Sequence, residues 1–330
     1  DLTDQKRTMK KVLIPLILFS PLALLSGAKL NPAHISADSK WMLHMDLDAF
    51  RNSQTGQNAR SKWMGDEVEK KLQEMKETYG IDLDKGMHGA TLYGNGEKDN
   101  GVLVIHAEVD KQKMIGFAKL NQEYSKSSYN GRKIHSMPGK RPGKQAHVCF
   151  HGKGTILVAQ TKELIEGAID VLDGQTASIK IGEGMRSLSE ELDNPMMIAY
   201  GDFSALSEIQ NNPKAAMLKM ASRSGIAMGE SLGISKASMF LEAKDADSCQ
   251  QIESIIRGIL AIGSLQRDKQ PDVAKLTNAF IVERNDNLLK VAFRMDTQEL
   301  IAIGDNMREQ RKGSRQRWQE KRKKWKESKE

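Results

Sequence analysis

The stretch "HVCFH" opens the question of chemistry. If it is a strand, His147, Cys149 and His151 share one face and Val148 and Phe150 share the other, because alternate strand residues point the same way. "HMDLD" repeats the pattern, with His44, Asp46 and Asp48 opposite Met45 and Leu47. These are metal-ligand residue types. The spacing argues against a shared ion. Residues four apart on a strand are about 13 Å apart, too far to hold one zinc between them. Only i, i+2 pairs could chelate, helped by a neighbouring strand. All 7 histidines lie before residue 152. The expectation is ordinary half-exposed strand residues, with no metal and no cofactor.

Asp46 and Asp202 form a second candidate pair. Asp46 opens "DLDAF" and Asp202 opens "DFSAL", each after an apolar-rich run. As functional groups they would be two carboxylate sites. As structural groups they are strand-end residues whose oxygens cap the turn that follows. The structural reading is preferred, because Asp is common at such turns for that reason alone.

Recognised catalytic motifs fail on inspection. Gly139-Lys140-Arg141-Pro142-Gly143-Lys144 suggests a phosphate loop. But Pro138 stands where its first Gly is needed, and Gln145 replaces the Mg²⁺-binding Ser/Thr. The sequence contains no GxSxG, HExxH or CxxC. These gaps point away from common hydrolases and metalloproteases. No catalytic residue is assigned. The 17 methionines are scattered and read as flexible core filling.

The C-terminal 23 residues are the compositional anomaly. Residues 308–330 hold 11 Lys/Arg and 4 Asp/Glu, which is the whole of the chain's net charge of +7. Arg317, Trp318, Lys321, Arg322, Lys323, Lys324 and Trp325 are the candidate polyanion-binding residues. Trp318 and Trp325 are seven apart and would share a helix face. Basic residues with interfacial Trp suit an anionic membrane surface. Nucleic acid is not the expected partner, since an exported protein seldom meets it. The bland alternative is a solvated, partly helical tail.

The export expectation comes from the other end. Lys10 and Lys11 precede an apolar run from Val12 to Leu25, then Ser26-Gly27-Ala28. That order is a secretory signal peptide with cleavage after Ala28. The run is too short for a bilayer span of roughly 20 residues, so an uncleaved anchor is the weaker reading. The expected destination is the periplasm or the extracellular space. Cys149 and Cys249 could form a disulfide there, or stay as two buried thiols.

Elements that would position these residues recur. "HVCFHGKGTILVA" and "AFIVERNDNLLKVAFRM" are hairpin patterns, with turns at Gly152-Lys153-Gly154 and Asn285-Asp286-Asn287. Each precedes a Thr-headed helical stretch, "TKELIEGAIDVL" and "TQELIAIGDNM", with Thr161 and Thr297 as expected N-caps. Residues 61–80 and 212–233 read as helices ending at Gly80 and Gly233. The same order in both halves, less one strand in the second, reads as a duplicated α+β unit. "HMDLDAF", "YGIDLDKGMHGATLYG", "GRKIHSM", "TKELIEGAIDVLDG" and "MIAYGDFSAL" resemble a group of uncharacterised exported bacterial proteins built from two α+β repeats. The resemblance spans roughly residues 39–308 and implies a fold, not an activity.

The expected organisation follows. Residues 1–8 are upstream sequence, 9–28 the signal peptide, 29–173 one repeat, 174–194 a linker, 195–307 a second repeat and 308–330 the basic tail. The fold class is α+β, with two tandem homologous repeats, each an antiparallel-rich sheet with packed helices. The expected function is a non-enzymatic envelope or periplasmic protein that binds an unidentified protein or envelope component. The rivals are an enzyme with a site in the groove between repeats, and an anionic-surface binder acting through the tail.

Overall fold

The computed structural model describes residues 28–139, 141–192, 194–204 and 220–327. The expected signal segment lies outside them except for Ala28. Alternating apolar stretches form β1 (Trp41–Asp46), β2 (Met87–Gly94), β3 (Val102–Ala107), β4 (Ser125–Tyr129), β5 (Arg132–Pro138), β6 (Gln145–His151) and β7 (Thr155–Ala159). They continue as β8 (Met197–Asp202), β9 (Ala221–Ser231), β10 (Ile234–Ala243), β11 (Phe280–Asn285) and β12 (Leu288–Asp296). The helices are α1 (Leu47–Asn52), α2 (Gln54–Trp63), α3 (Asp66–Tyr79), α4 (Lys111–Ala118), α5 (Lys162–Leu172) and α6 (Glu183–Glu191). After them come α7 (Ala246–Ser264), α8 (Pro271–Asn278) and α9 (Thr297–Glu327). The class is α+β.

All the strands among the described residues belong to one 12-stranded sheet of order β11-β12-β10-β9-β8-β1-β2-β3-β7-β6-β5-β4. Neighbours are antiparallel throughout. Outward from the centre, the first half runs β1-β2-β3-β7-β6 and the second runs β8-β9-β10-β12-β11. The first half then adds the β4–β5 hairpin at its edge, so among the described residues the halves differ by two strands rather than one.

The halves are not beads on a linker. β1 pairs directly with β8, placing His44 opposite Ile198 and Leu43 opposite Ala199. One apolar cluster joins Met42, Val104, Leu157 and Ile169 of the first half to Ile198, Ala227 and Phe240 of the second. Each such Leu or Ile contributes about 1.5–3 kcal/mol by leaving water. Residues 174–194 carry α6, whose Leu188 is buried in that cluster. Ser178 also makes a β-bridge to Ser36. On the other sheet face, α7 packs Cys249 and Ile252 against Leu241, Leu289 and Val291.

Several local expectations are met. Gly80 ends α3 in the left-handed conformation, at φ 71°. Thr161 caps α5 by accepting from the Leu164 N–H. Both predicted hairpins form, as β6–β7 and β11–β12.

Others are corrected. Ala221–Ser231 is strand β9, not the second part of a helix. Its Gly and Ser content disfavours a helix. Its small residues Gly225, Ala227 and Gly229 alternate onto one buried face. Gly233 is therefore not a helix cap. With Leu232 it makes the β9–β10 turn, at φ 52° and 76°, as a tight hairpin requires. Asp296, not Thr297, caps α9 by accepting from the Glu299 N–H. Thr297 is buried against the Ser235 hydroxyl, 2.9 Å away. The expected boundary at residue 308 falls inside α9, a single helix about 46 Å long at 1.5 Å per residue.

Candidate functional site

A groove of about 650 Å³ opens where the halves meet. Its floor is apolar: Met42 from β1, Tyr200 from β8 and Phe240 from β10. The N-terminal segment through Ile35 forms one wall, and residues 177–185 form the other. Strand register sets its charged rim. Asp202 on β8 lies opposite Arg223 on β9, which lies opposite Glu242 on β10. Opposite charges on directly facing strand residues attract. Arg223 reaches Asp202 at 4.0 Å and Glu242 at 3.4 Å, and Lys40 approaches Asp202 at 3.9 Å.

Asp202 is held as a carboxylate. Burial pushes the Asp202 carboxyl up, but the Ser204 hydroxyl and N–H, Lys40 and Arg223 outweigh it. The carboxyl ends below the ordinary range and stays ionised. Burial raises the Tyr200 phenol. Neither group is poised to exchange a proton near neutral pH. No histidine or cysteine lines the groove among the described residues. Such a surface can bury an apolar moiety and orient a polar one at its edge.

The sequence candidates lie elsewhere, apart from Asp202. His147, Cys149 and His151 do share a strand face, but each has its own surroundings. His147 Nδ1 lies 2.8 Å from the Ser136 hydroxyl, and Cys149 is fully buried in the shared core. His151 Nε2 lies 2.9 Å from Asp173. Arg132 donates to the same carboxylate. Chiefly through Arg132, Asp173 is held down at about 2.

His44 Nδ1 lies 2.8 Å from the Thr91 hydroxyl, and burial lowers its pKa to about 4. Asp46 caps α1 by accepting from the Ala49 N–H at 2.8 Å. Burial raises its pKa. Asp48 does not share the strand face of His44 and Asp46, because the strand ends at Asp46. It sits in α1, near His88 and accepting from Arg51. No group of three His, Cys, Asp or Glu is arranged to hold a metal ion among the described residues. Cys149 and Cys249 are free thiols buried in separate clusters.

In the tail, Trp318 is exposed and the Arg322 guanidinium lies 5.3 Å from its ring centre. The side chains of Arg317, Lys321, Lys323, Lys324 and Trp325 lie outside the described set. No helix among the described residues is long and apolar enough to cross a membrane.

Sequence reading missed Lys40, Arg223, Glu242 and the 177–185 wall. Only Asp202 carried a signal, through its likeness to Asp46. The others become neighbours through β-register between distant segments, which leaves no local pattern.

No family model matches the chain, and no curated protein matches it in sequence. Among solved structures it is similar to two crystal forms of TP0453. Crystal form III has a TM-score of 0.48 at 8% identity, covering 84% of this chain and 98% of that one. Crystal form I has a TM-score of 0.46 at 8% identity, covering 84% and 97%.

Proposed function

We propose that this chain is an exported, non-enzymatic envelope protein that receives a partner in the groove between its halves. The observation that carries this reading is the groove itself. Its apolar floor is framed by the Lys40–Asp202–Arg223–Glu242 ladder, whose charges neutralise one another. An acid–base enzyme needs titratable groups tuned near the working pH. Export rests on the Lys10-Lys11, apolar and Ser-Gly-Ala sequence at the start. The shared strand order supports reading the halves as one duplicated unit, with the β4–β5 hairpin gained or lost by one of them.

A photo-crosslinking residue at Lys180 tests the groove in the exported protein. Capture of one discrete species there is expected, and Arg223→Glu should abolish it. The same adducts from a crosslinker at Lys70 on α3 would sink the reading. N-terminal sequencing of envelope material should begin near Lys29.

The tail supports a second reading, favoured by the exposed Trp318 stacked with Arg322. It is association of α9 with an anionic membrane surface. Each Lys or Arg close to such a surface contributes about 1 kcal/mol, and the Trp adds salt-resistant burial. The full chain should co-sediment with anionic vesicles, less so as salt rises from about 0.1 to 1 M. A chain ending at Met307 should not. Equal sedimentation of both removes this reading.

A further inference from the structure

The β4–β5 hairpin, which has no counterpart among the described strands of the second half, lines a site of its own. Together with β6 it faces α3 and α4 across an apolar cavity of about 180 Å³. Met114 and Ile115 come from α4, Met137 from β5, and Val148 and Phe150 from β6. Phe117 closes one side, edge-on to Tyr79 at 4.6 Å. Of the lining side chains only Tyr79 and His135 carry a polar atom. His135 is already engaged, with Nδ1 2.7 Å from the Tyr124 hydroxyl.

Around this apolar cavity stand lysines. The Lys111 ammonium sits 5.1 Å from the centre of the Phe150 ring. Lys126 lies directly opposite His135 in the β4–β5 register. Lys133 is two residues before His135, on the same face of β5. Lys119 caps the C-terminal end of α4. None of the four makes an ion pair with a carboxylate among the described residues, in contrast to the groove rim. Their charge is felt in the cavity: after burial, Lys111, Lys126, Lys119 and Lys133 are what lower the His135 pKa.

An apolar cavity ringed by uncompensated positive charge matches one ligand chemistry. We propose that this cavity binds a free fatty-acid carboxylate, chain end inward against Met137, Val148 and Phe150, with its headgroup among Lys111, Lys126 and Lys133. The cavity is concave and takes a single chain, which fits a monomeric amphiphile better than a bilayer surface. The site is separate from the central groove and does not depend on the reading given to it.

Decanoate is the probe, titrated into the full mature chain by calorimetry and followed by the His135 imidazole NMR signals. Binding of one decanoate per chain with a shift of those signals is expected. Lys111→Gln, Lys126→Gln and Lys133→Gln combined should weaken it about tenfold, as three exposed charge contacts would. These are surface changes, so the fold should survive them, and an unchanged circular dichroism melt checks this. Val148→Trp should block the cavity and abolish the shift. Decanol should bind at least several-fold more weakly than decanoate. The proposal is overturned by equal binding of decanol, by decanoate binding unaffected by Val148→Trp, or by no binding at all. If decanoate fails while vesicles of phosphatidylglycerol bind the wild type and not the triple variant, the lysines serve a membrane surface, and the proposal also falls.

Discussion

The Phe240 ring occupies the space that a side chain at its cross-strand partner Gly225 would need. A Cβ on Gly225 would lie 2.5 Å from Phe240 Cε1. On α6, Gly184 presses on the same ring, where a Cβ would meet Cδ2 at 2.5 Å. The ring is thus clasped between β9 and α6 at the floor of the central groove. Gly225→Ala and Gly184→Ala should each destabilise the fold by about 1–3 kcal/mol, the usual cost of overpacking a core. Urea unfolding midpoints measure this. Unchanged midpoints would mean that the ring has room to move.

Glu230 ties the two halves together at the opposite end of β9. Its carboxylate accepts from the Gln54 N–H at 2.8 Å, and from the Thr55 N–H and hydroxyl, both at 3.1 Å. These are free N–H groups at the start of α2, where negative charge is favoured. Glu230→Ala should cost about 1–2 kcal/mol, with Glu230→Gln between it and wild type. Amide hydrogen exchange at Gln54 and Thr55 should speed up in the alanine variant.

His44 makes stability depend on pH. It is 1% exposed and its pKa falls from 6.5 to about 4 in the folded chain. Between those values the unfolded chain binds the extra proton and the folded one does not. Stability should therefore fall as pH drops from about 6.5 to about 4, by up to about 3 kcal/mol from this residue. His34, His106, His135 and His147 are lowered too, so they add to the same slope. His44→Gln should flatten the slope without removing it. An unaltered pH dependence of unfolding would contradict the assignment.

Asp173 acts in the neighbouring acid range. With its pKa held at about 2, it contributes stability above the ordinary carboxylate pKa and loses it as pH falls toward 2. It joins the end of α5 to Arg132 on β5 and His151 on β6. Asp173→Asn should cost about 2 kcal/mol at neutral pH, the scale of a hydrogen bond to a charged group. In thermal melts the gap between wild type and variant should be largest at pH 7 and shrink as the pH falls to 2.

Cys149 and Cys249 should resist alkylation in the native protein. Both are fully buried, and burial raises both thiols above their ordinary pKa. The thiolate is the reacting form. Iodoacetamide at pH 7.5 should label neither residue until denaturant is added.

What the sequence by itself determined was local. The Gly-Lys-Gly turn between apolar strands specified the β6–β7 hairpin, because its residues suit the turn and its neighbours suit strands. Thr161 and Gly80 marked helix ends through their own caps, and Asp46 declared itself a capping residue by its place after a strand. The α+β class follows from such short-range signals. β9 was misread because Ala221–Ser231 has weak local preference, and it is a strand by virtue of partners on both sides, β8 and β10. The β1–β8 pairing that fuses the halves into one sheet joins segments some 150 residues apart. Its energy comes from contacts that no short window contains. The same holds for the Asp202–Arg223–Glu242 ladder and for the lysines around Phe150. Each of these residues is unremarkable where it stands in the chain, and only strand register and helix packing bring their charges to one place.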